Sequence, residues 1–170
     1  RMRPPLKLLL SADAVGGVWT YTIDLAQALR KGGVNVCIAA LGPPPSAAQV
    51  AQAAATGADL CVIDAPLDWL CEDEAGAAPA SCAIAAKARQ LNVDVIQVHS
   101  PALLAHALMP APTVCVVHSC VATWWEAVYG GDMPDDLLWR AMLTEKGLAR
   151  ANVVIASNQS FANDITRIYG

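Results

Sequence analysis

Two adjacent glycines and two histidines stand where this chain would handle a ligand. The turn Asp13-Ala14-Val15-Gly16-Gly17 follows the apolar run 6–10 and opens a segment with helical spacing. A strand that feeds a helix through such a turn leaves the first helical N–H groups free. Those groups and the helix dipole favour an anion. Gly16 and Gly17 would let a phosphate group of a ligand reach the backbone, and the plainer role is a turn that needs small residues for packing. His118 and His99 follow the expected strands 113–117 and 93–98. An imidazole there can donate or accept a hydrogen bond, or move a proton near neutral pH. Asp13 can bind a ligand hydroxyl or brace its own turn through an Asx-type bond. Trp124 and Trp125 can stack on a sugar ring or pack a loop, with one of the two exposed. His106 falls inside an expected helix and reads as structural. The three histidines are 7 and 12 residues apart, which matches no compact metal-ligand pattern, so no metal is expected.

The elements that must position these residues are legible as alternating strands and helices. Strands are expected over 6–10, 34–41, 60–63, 93–98, 113–117 and 153–156, and helices over 16–31, 46–56, 80–91, 134–150 and 159–169. Residues 102–108 read as a short helix, 64–79 as irregular and 124–126 as loop. Ser46 and Ser157 are candidate helix caps, and Asp132 lies near the start of the 134–150 helix. Glu72-Asp73-Glu74 reads as a solvated loop. The strands are almost wholly apolar, as strands buried on both faces are. The fold class is therefore α/β: a doubly wound, mostly parallel, Rossmann-like sheet of order 3-2-1-4-5-6 between two helical layers. Ligands bind such sheets at the carboxyl ends of the strands, where the order reverses between strands 1 and 4. Gly16-Gly17, His99 and His118 all fall at or just after such ends.

Composition sets the outer bounds. The chain has 170 residues, 55% hydrophobic and 15% charged, which suits one domain with a substantial core. Net charge is -4 and no Lys/Arg-rich run occurs, which argues against nucleic acid or an anionic membrane as main partner. The six cysteines include no C-x-x-C pair and suit a reduced, cytoplasmic protein. No signal peptide is evident, and Arg1 where an initiating Met would stand suggests trimming or a tag remnant. The longest apolar region, 102–117, is broken by His106, Pro110 and Pro112, so no transmembrane helix is expected.

A dinucleotide is the first ligand to consider. Its fingerprint needs G-x-G-x-x-G and an acidic residue after the second strand. Here the turn has only adjacent glycines, and strand two ends Ala39-Ala40-Leu41. A dinucleotide enzyme or epimerase is thus disfavoured, as is a P-loop NTPase, since G-x-x-x-x-G-K-[ST] is missing.

The segment Asp13-Ala14-Val15-Gly16-Gly17-Val18-Trp19-Thr20-Tyr21 resembles the glycine-rich turn of retaining glycosyltransferases of the family that includes glycogen and sucrose synthases. Asp94-Val95-Ile96-Gln97-Val98-His99-Ser100 resembles that family's fourth strand and its histidine. Val116-Val117-His118-Ser119 resembles the strand-five end with the active-site histidine, and Trp124-Trp125-Glu126 the loop after it. Val153-Val154-Ile155-Ala156-Ser157-Asn158-Gln159-Ser160-Phe161 resembles the segment that closes the N-terminal domain. The resemblance spans nearly the whole chain.

It implies a GT-B enzyme with two facing Rossmann-like domains. Residues 1–170 would be the N-terminal, acceptor-side domain, without the C-terminal domain that binds most of the nucleotide-sugar donor. Gly16 and Gly17 would meet the donor diphosphate, and His118 would act beside the transferred sugar. Asp13, His99 and Trp124 would line the acceptor pocket. No cofactor or metal is implied, because protein groups neutralise the leaving diphosphate. An isolated chain is expected to have little activity. The alternative is a non-catalytic module that binds a phosphorylated or sugar ligand, or pairs with a separate subunit.

Overall fold

A computed structural model describes residues 4–170; Arg1, and with it the reading of trimming or a tag, lies outside the described residues. Six strands form one parallel sheet: β1 (Lys7–Asp13), β2 (Asn35–Leu41), β3 (Asp59–Val62), β4 (Val95–Val98), β5 (Thr113–Val117) and β6 (Val153–Ala156). Their order is β3-β2-β1-β4-β5-β6, as the apolar strands predict. The helices are α1 (Gly17–Lys31), α2 (Ala47–Ala55), α3 (Glu74–Leu91), α4 (Val121–Val128), α5 (Asp135–Leu148) and α6 (Gln159–Tyr169).

Strand side chains alternate between two cores. Leu8, Leu10 and Ala12 pack with Trp19 and Ala26 of α1 and Ala53 of α2. Leu9, Ile96, Val98 and Val117 pack with Ile84 of α3 and Ile165 of α6. The central strands are buried on both faces, hence their largely apolar sequences, with Ser11 of β1 and Gln97 of β4 as buried polar exceptions. The edge is different: Val153, Val154 and Ile155 of β6 are 51%, 42% and 45% exposed although the sequence there is as apolar as in β5.

Several boundaries differ from expectation for identifiable reasons. Helix α3 begins at Glu74, ahead of the expected 80, and carries Pro79 inside it. Asp73 caps it by accepting from the Gly76 N–H at 2.8 Å, and Glu74 accepts from Lys146 of α5 at 2.7 Å. The acidic run is thus a helix start tied to a neighbour rather than a solvated loop. Residues 102–108 do not form a helix; one 3-10 turn, Pro101–Leu104, is followed by a bend that holds His106. Trp124-Trp125-Glu126 is helical, not loop, and Glu126 pairs with Arg167 of α6. Ser46 caps α2 in a capping box with Gln49, whereas α6 is capped by Asn158 and not Ser157. Among the described residues no helix is long and apolar enough to cross a membrane.

One contact sets the position of α5. A Cβ on Gly147 would lie 1.8 Å from the carbonyl oxygen of Pro101. The helix therefore rests backbone to backbone on the turn that follows β4.

Candidate functional site

The carboxyl ends of β1, β4 and β5 open into a cleft of about 450 Å³. Its floor is set by strand register. Neighbouring strands β4 and β5 end at Val98 and Val117, and the side chains of His99 and His118, which directly follow them, meet although β5 runs two residues further than the Val98–Cys115 pair. His99 Nδ1 and His118 Nε2 are 2.9 Å apart. Tyr21 of α1 meets both rings edge-on, with centroids 5.2 Å from His99 and 5.0 Å from His118. His99 is buried, and its backbone N–H donates to Ser11 Oγ of β1 at 2.9 Å. Burial, reinforced by the neighbouring His118, pushes the His99 pKa down to about 3; burial also lowers that of the half-buried His118. Both rings are thus neutral at physiological pH.

The α1 wall is formed by Asp13 and Val18, on either side of the glycine turn. Gly16 is the N-cap at φ 78° and ψ −155°, with no side-chain cap, and no acidic residue occupies the first turn of α1. A Cβ on either Gly16 or Gly17 would meet nothing within 4 Å, so this helix end faces open space. Asp13 Oδ1 accepts from the Val15 N–H at 2.8 Å, which is the bracing role; Asp13 also lines the cleft. From α2, Gln49 donates to the Ala14 carbonyl at 2.6 Å and clamps the turn from outside.

The opposite wall comes from three distant segments. Asp68 sits in a 3-10 turn, Asp68–Leu70, and accepts from Ser100 Oγ at 3.0 Å. Burial raises its carboxyl pKa above the ordinary value, against the pull of that hydrogen bond. Arg140 of α5 donates to the Cys71 carbonyl at 2.8 Å and lies over the Trp139 ring at 4.4 Å. Trp124 of α4 borders the cleft and is exposed, while Trp125 is half-buried against Tyr129.

The structure thus brings Asp13, His99, His118 and Trp124 together. Gly16 and Gly17 are not cleft walls themselves but are bracketed by Asp13 and Val18, which are. His106 stays outside, its Nε2 3.7 Å from Glu74 and beyond hydrogen-bond reach. Sequence reasoning missed Asp68 and Arg140. The trace for Asp68 was a single carboxylate inside an otherwise apolar Leu67-Asp68-Trp69-Leu70 run.

The glycine turn and the paired histidines lie at the switch point of a doubly wound sheet, which defines the class as a Rossmann-like α/β domain, a fold whose ligand sites generally lie at the strand ends. A family model described as Glycosyltransferase Family 4 matches residues 15–170, and the chain belongs to that family. No curated protein matches it. Among solved structures, a glycosyltransferase from Rickettsia africae ESF-5 is similar with a TM-score of 0.59 at 14% identity, over 98% of this chain and 40% of that one. SsfS6, a Streptomyces sp. SF2575 glycosyltransferase, aligns with a TM-score of 0.47 at 14% identity, over 96% of this chain and 46% of that one. The chain therefore spans less than half the length of these glycosyltransferases.

Proposed function

We propose that this domain is the acceptor-side half of a retaining glycosyltransferase that moves a sugar from a nucleotide-sugar donor to a hydroxyl acceptor. The observation that carries the reading is the cleft of this family-4 domain, which His118 lines together with Asp13 and Val18, the residues on either side of the uncapped glycine turn. Departure of a nucleoside diphosphate builds negative charge on its oxygens. The free N–H groups at Gly16 and Gly17 are aimed by a braced turn and stabilise that charge. His118 contacts the transferred sugar. Asp13, His99 and Trp124 form the acceptor side, the indole offering a flat apolar face to a sugar ring. Asp68 and Arg140 add a hydrogen-bonding carboxyl and a cation to the same wall.

The test is a screen of nucleotide sugars against the full-length protein, following release of nucleoside diphosphate. His118→Ala is expected to lower kcat/KM by about 100-fold or more, the size of losing one preorganised hydrogen-bonding group. Binding of nucleotide sugars without turnover would favour a non-catalytic module instead. A His118→Ala variant with wild-type kcat/KM would remove His118 from the reaction.

A further inference from the structure

We infer that His99 fixes the tautomer of His118, so that His118 meets its substrate with an Nδ1–H donor and not with a base. The inference rests on the reading of His118 as the group that faces the transferred sugar.

Between two neutral imidazoles, one proton lies in the 2.9 Å contact between His99 Nδ1 and His118 Nε2. Two arrangements are available. If His118 donates, His99 Nδ1 accepts and the His99 proton must sit on Nε2. That atom is buried and has no hydrogen-bond partner among the described residues. If His99 donates, Nε2 is left as a bare lone pair. Among backbone groups a buried N–H without a partner is a rarer defect than an under-satisfied acceptor, and the same preference is taken to hold for the imidazole. The second arrangement therefore holds: His99 Nδ1–H donates to His118 Nε2, and the proton of His118 is on Nδ1.

Nothing else holds the His118 tautomer. No carboxylate hydrogen-bonds either ring among the described residues. His99 has little freedom to change, with its backbone N–H on Ser11 Oγ and Tyr21 against its ring. Protonation of His118 would itself force His99 to accept, and so would create the orphaned N–H. The His118 Nε2 lone pair is occupied and its Nδ1 already carries a proton. The ring can hold or polarise a substrate oxygen; it cannot take a proton from one. His99 is thus a positioning residue that acts through His118.

The experiment is long-range proton–nitrogen NMR of the full-length protein with labelled histidines at neutral pH, resonances being assigned by single-histidine variants. The expected result is a protonated Nδ1 and a bare Nε2 on His118. A protonated Nε2 on His118 would overturn the inference. His99→Asn keeps an N–H donor at the Nδ1 position and is expected to keep the His118 tautomer. His99→Phe keeps ring bulk without the donor and is expected to shift His118 to the Nε2–H form. An unchanged His118 tautomer in His99→Phe would overturn the positioning role; if that variant does not fold, His99→Leu is read the same way, and the wild-type spectrum still decides the direction of the His99–His118 bond. The readout needs no substrate. Failure of the glycosyl-transfer reading would leave the tautomer standing without its role toward substrate, and a wrong tautomer would leave transfer untouched.

Discussion

The two walls of the cleft are held by different kinds of contact. The α1 wall is made in one stretch of chain, residues 13–21. Asp13 accepts from its neighbour Val15, and Tyr21 one turn into the helix backs the histidines. The opposite wall gathers Asp68, Ser100, Arg140 and Thr144, which are far apart in sequence. It is joined by the Ser100–Asp68 and Arg140–Cys71 hydrogen bonds and by the seat of Gly147 on Pro101. A wall made mainly of local bonds, with the one distant clamp of Gln49 on the Ala14 carbonyl, keeps more of its shape when the domain loosens. A wall made of distant contacts depends on the packing of one helix.

The largest expected effect of a single substitution at neutral pH breaks the second wall alone. In Gly147→Ala the new Cβ would lie 1.8 Å from one backbone atom of Pro101 and 2.4 Å from another, so neither side chain rotation nor a rotamer change relieves it. Helix α5 must lift, at a cost of about 3 kcal/mol. Hydrogen exchange should accelerate in α5 and at 101–104 while α1 keeps its protection. Equal loss of protection in α1 would mean that the walls are one cooperative unit.

Next in size is the acid response of the histidines between the walls. The His99 pKa falls from 6.5 to about 3 on folding, so the unfolded chain binds its proton more readily. The stability from that shift is present above 6.5 and is lost as pH falls toward 3, by at most about 1.4 kcal/mol per pH unit. His118 acts in the same direction. Asp68 acts in the opposite one. Its carboxyl is raised above 3.8, so its contribution declines as pH rises from 3.8 through the folded value. Urea midpoints measured from neutral to acid pH should show a slope that His99→Asn flattens and Asp68→Asn steepens. A slope unchanged in His99→Asn would mean that another group governs acid unfolding.

The contrast between walls also explains what the sequence could disclose. The glycine turn was legible because strand, turn and helix are contiguous and glycine has one obvious use there. His99 and His118 were legible because apolar runs stop at them, and the sheet order followed from strands buried on both faces. Asp68 and Arg140 were not legible, since their roles exist only where α5 and the 67–71 segment meet. Gln49 shows the same limit: its capping-box spacing with Ser46 is local, but its bond to the Ala14 carbonyl is not. Helix α4 was missed because Val-Ala-Thr-Trp-Trp-Glu-Ala-Val has no side-chain cap and no buried residue to set a period. The early start of α3 was masked by Pro79, whose local cost is outweighed by the burial of Ala77, Ala80 and Ser81.

The smallest expected effect on stability is the sharpest test of the α1 wall. Gly16 has φ 78° and ψ −155°, a conformation that only glycine adopts without strain, so Gly16→Ala should cost about 1–3 kcal/mol. Gly17 is the first helical residue, and its Cβ would enter open space. Gly17→Ala should therefore change stability by less than about 0.5 kcal/mol. Yet a methyl group there stands in front of the N–H groups assigned to the donor diphosphate. In the full-length protein Gly17→Ala should raise KM for the nucleotide sugar several-fold with the unfolding midpoint unmoved. Stability lost in Gly16→Ala, with donor KM intact in Gly17→Ala, would reduce the pair to a backbone device for turning the chain. The α1 wall would then be as purely structural as the Gly147 contact on the other side.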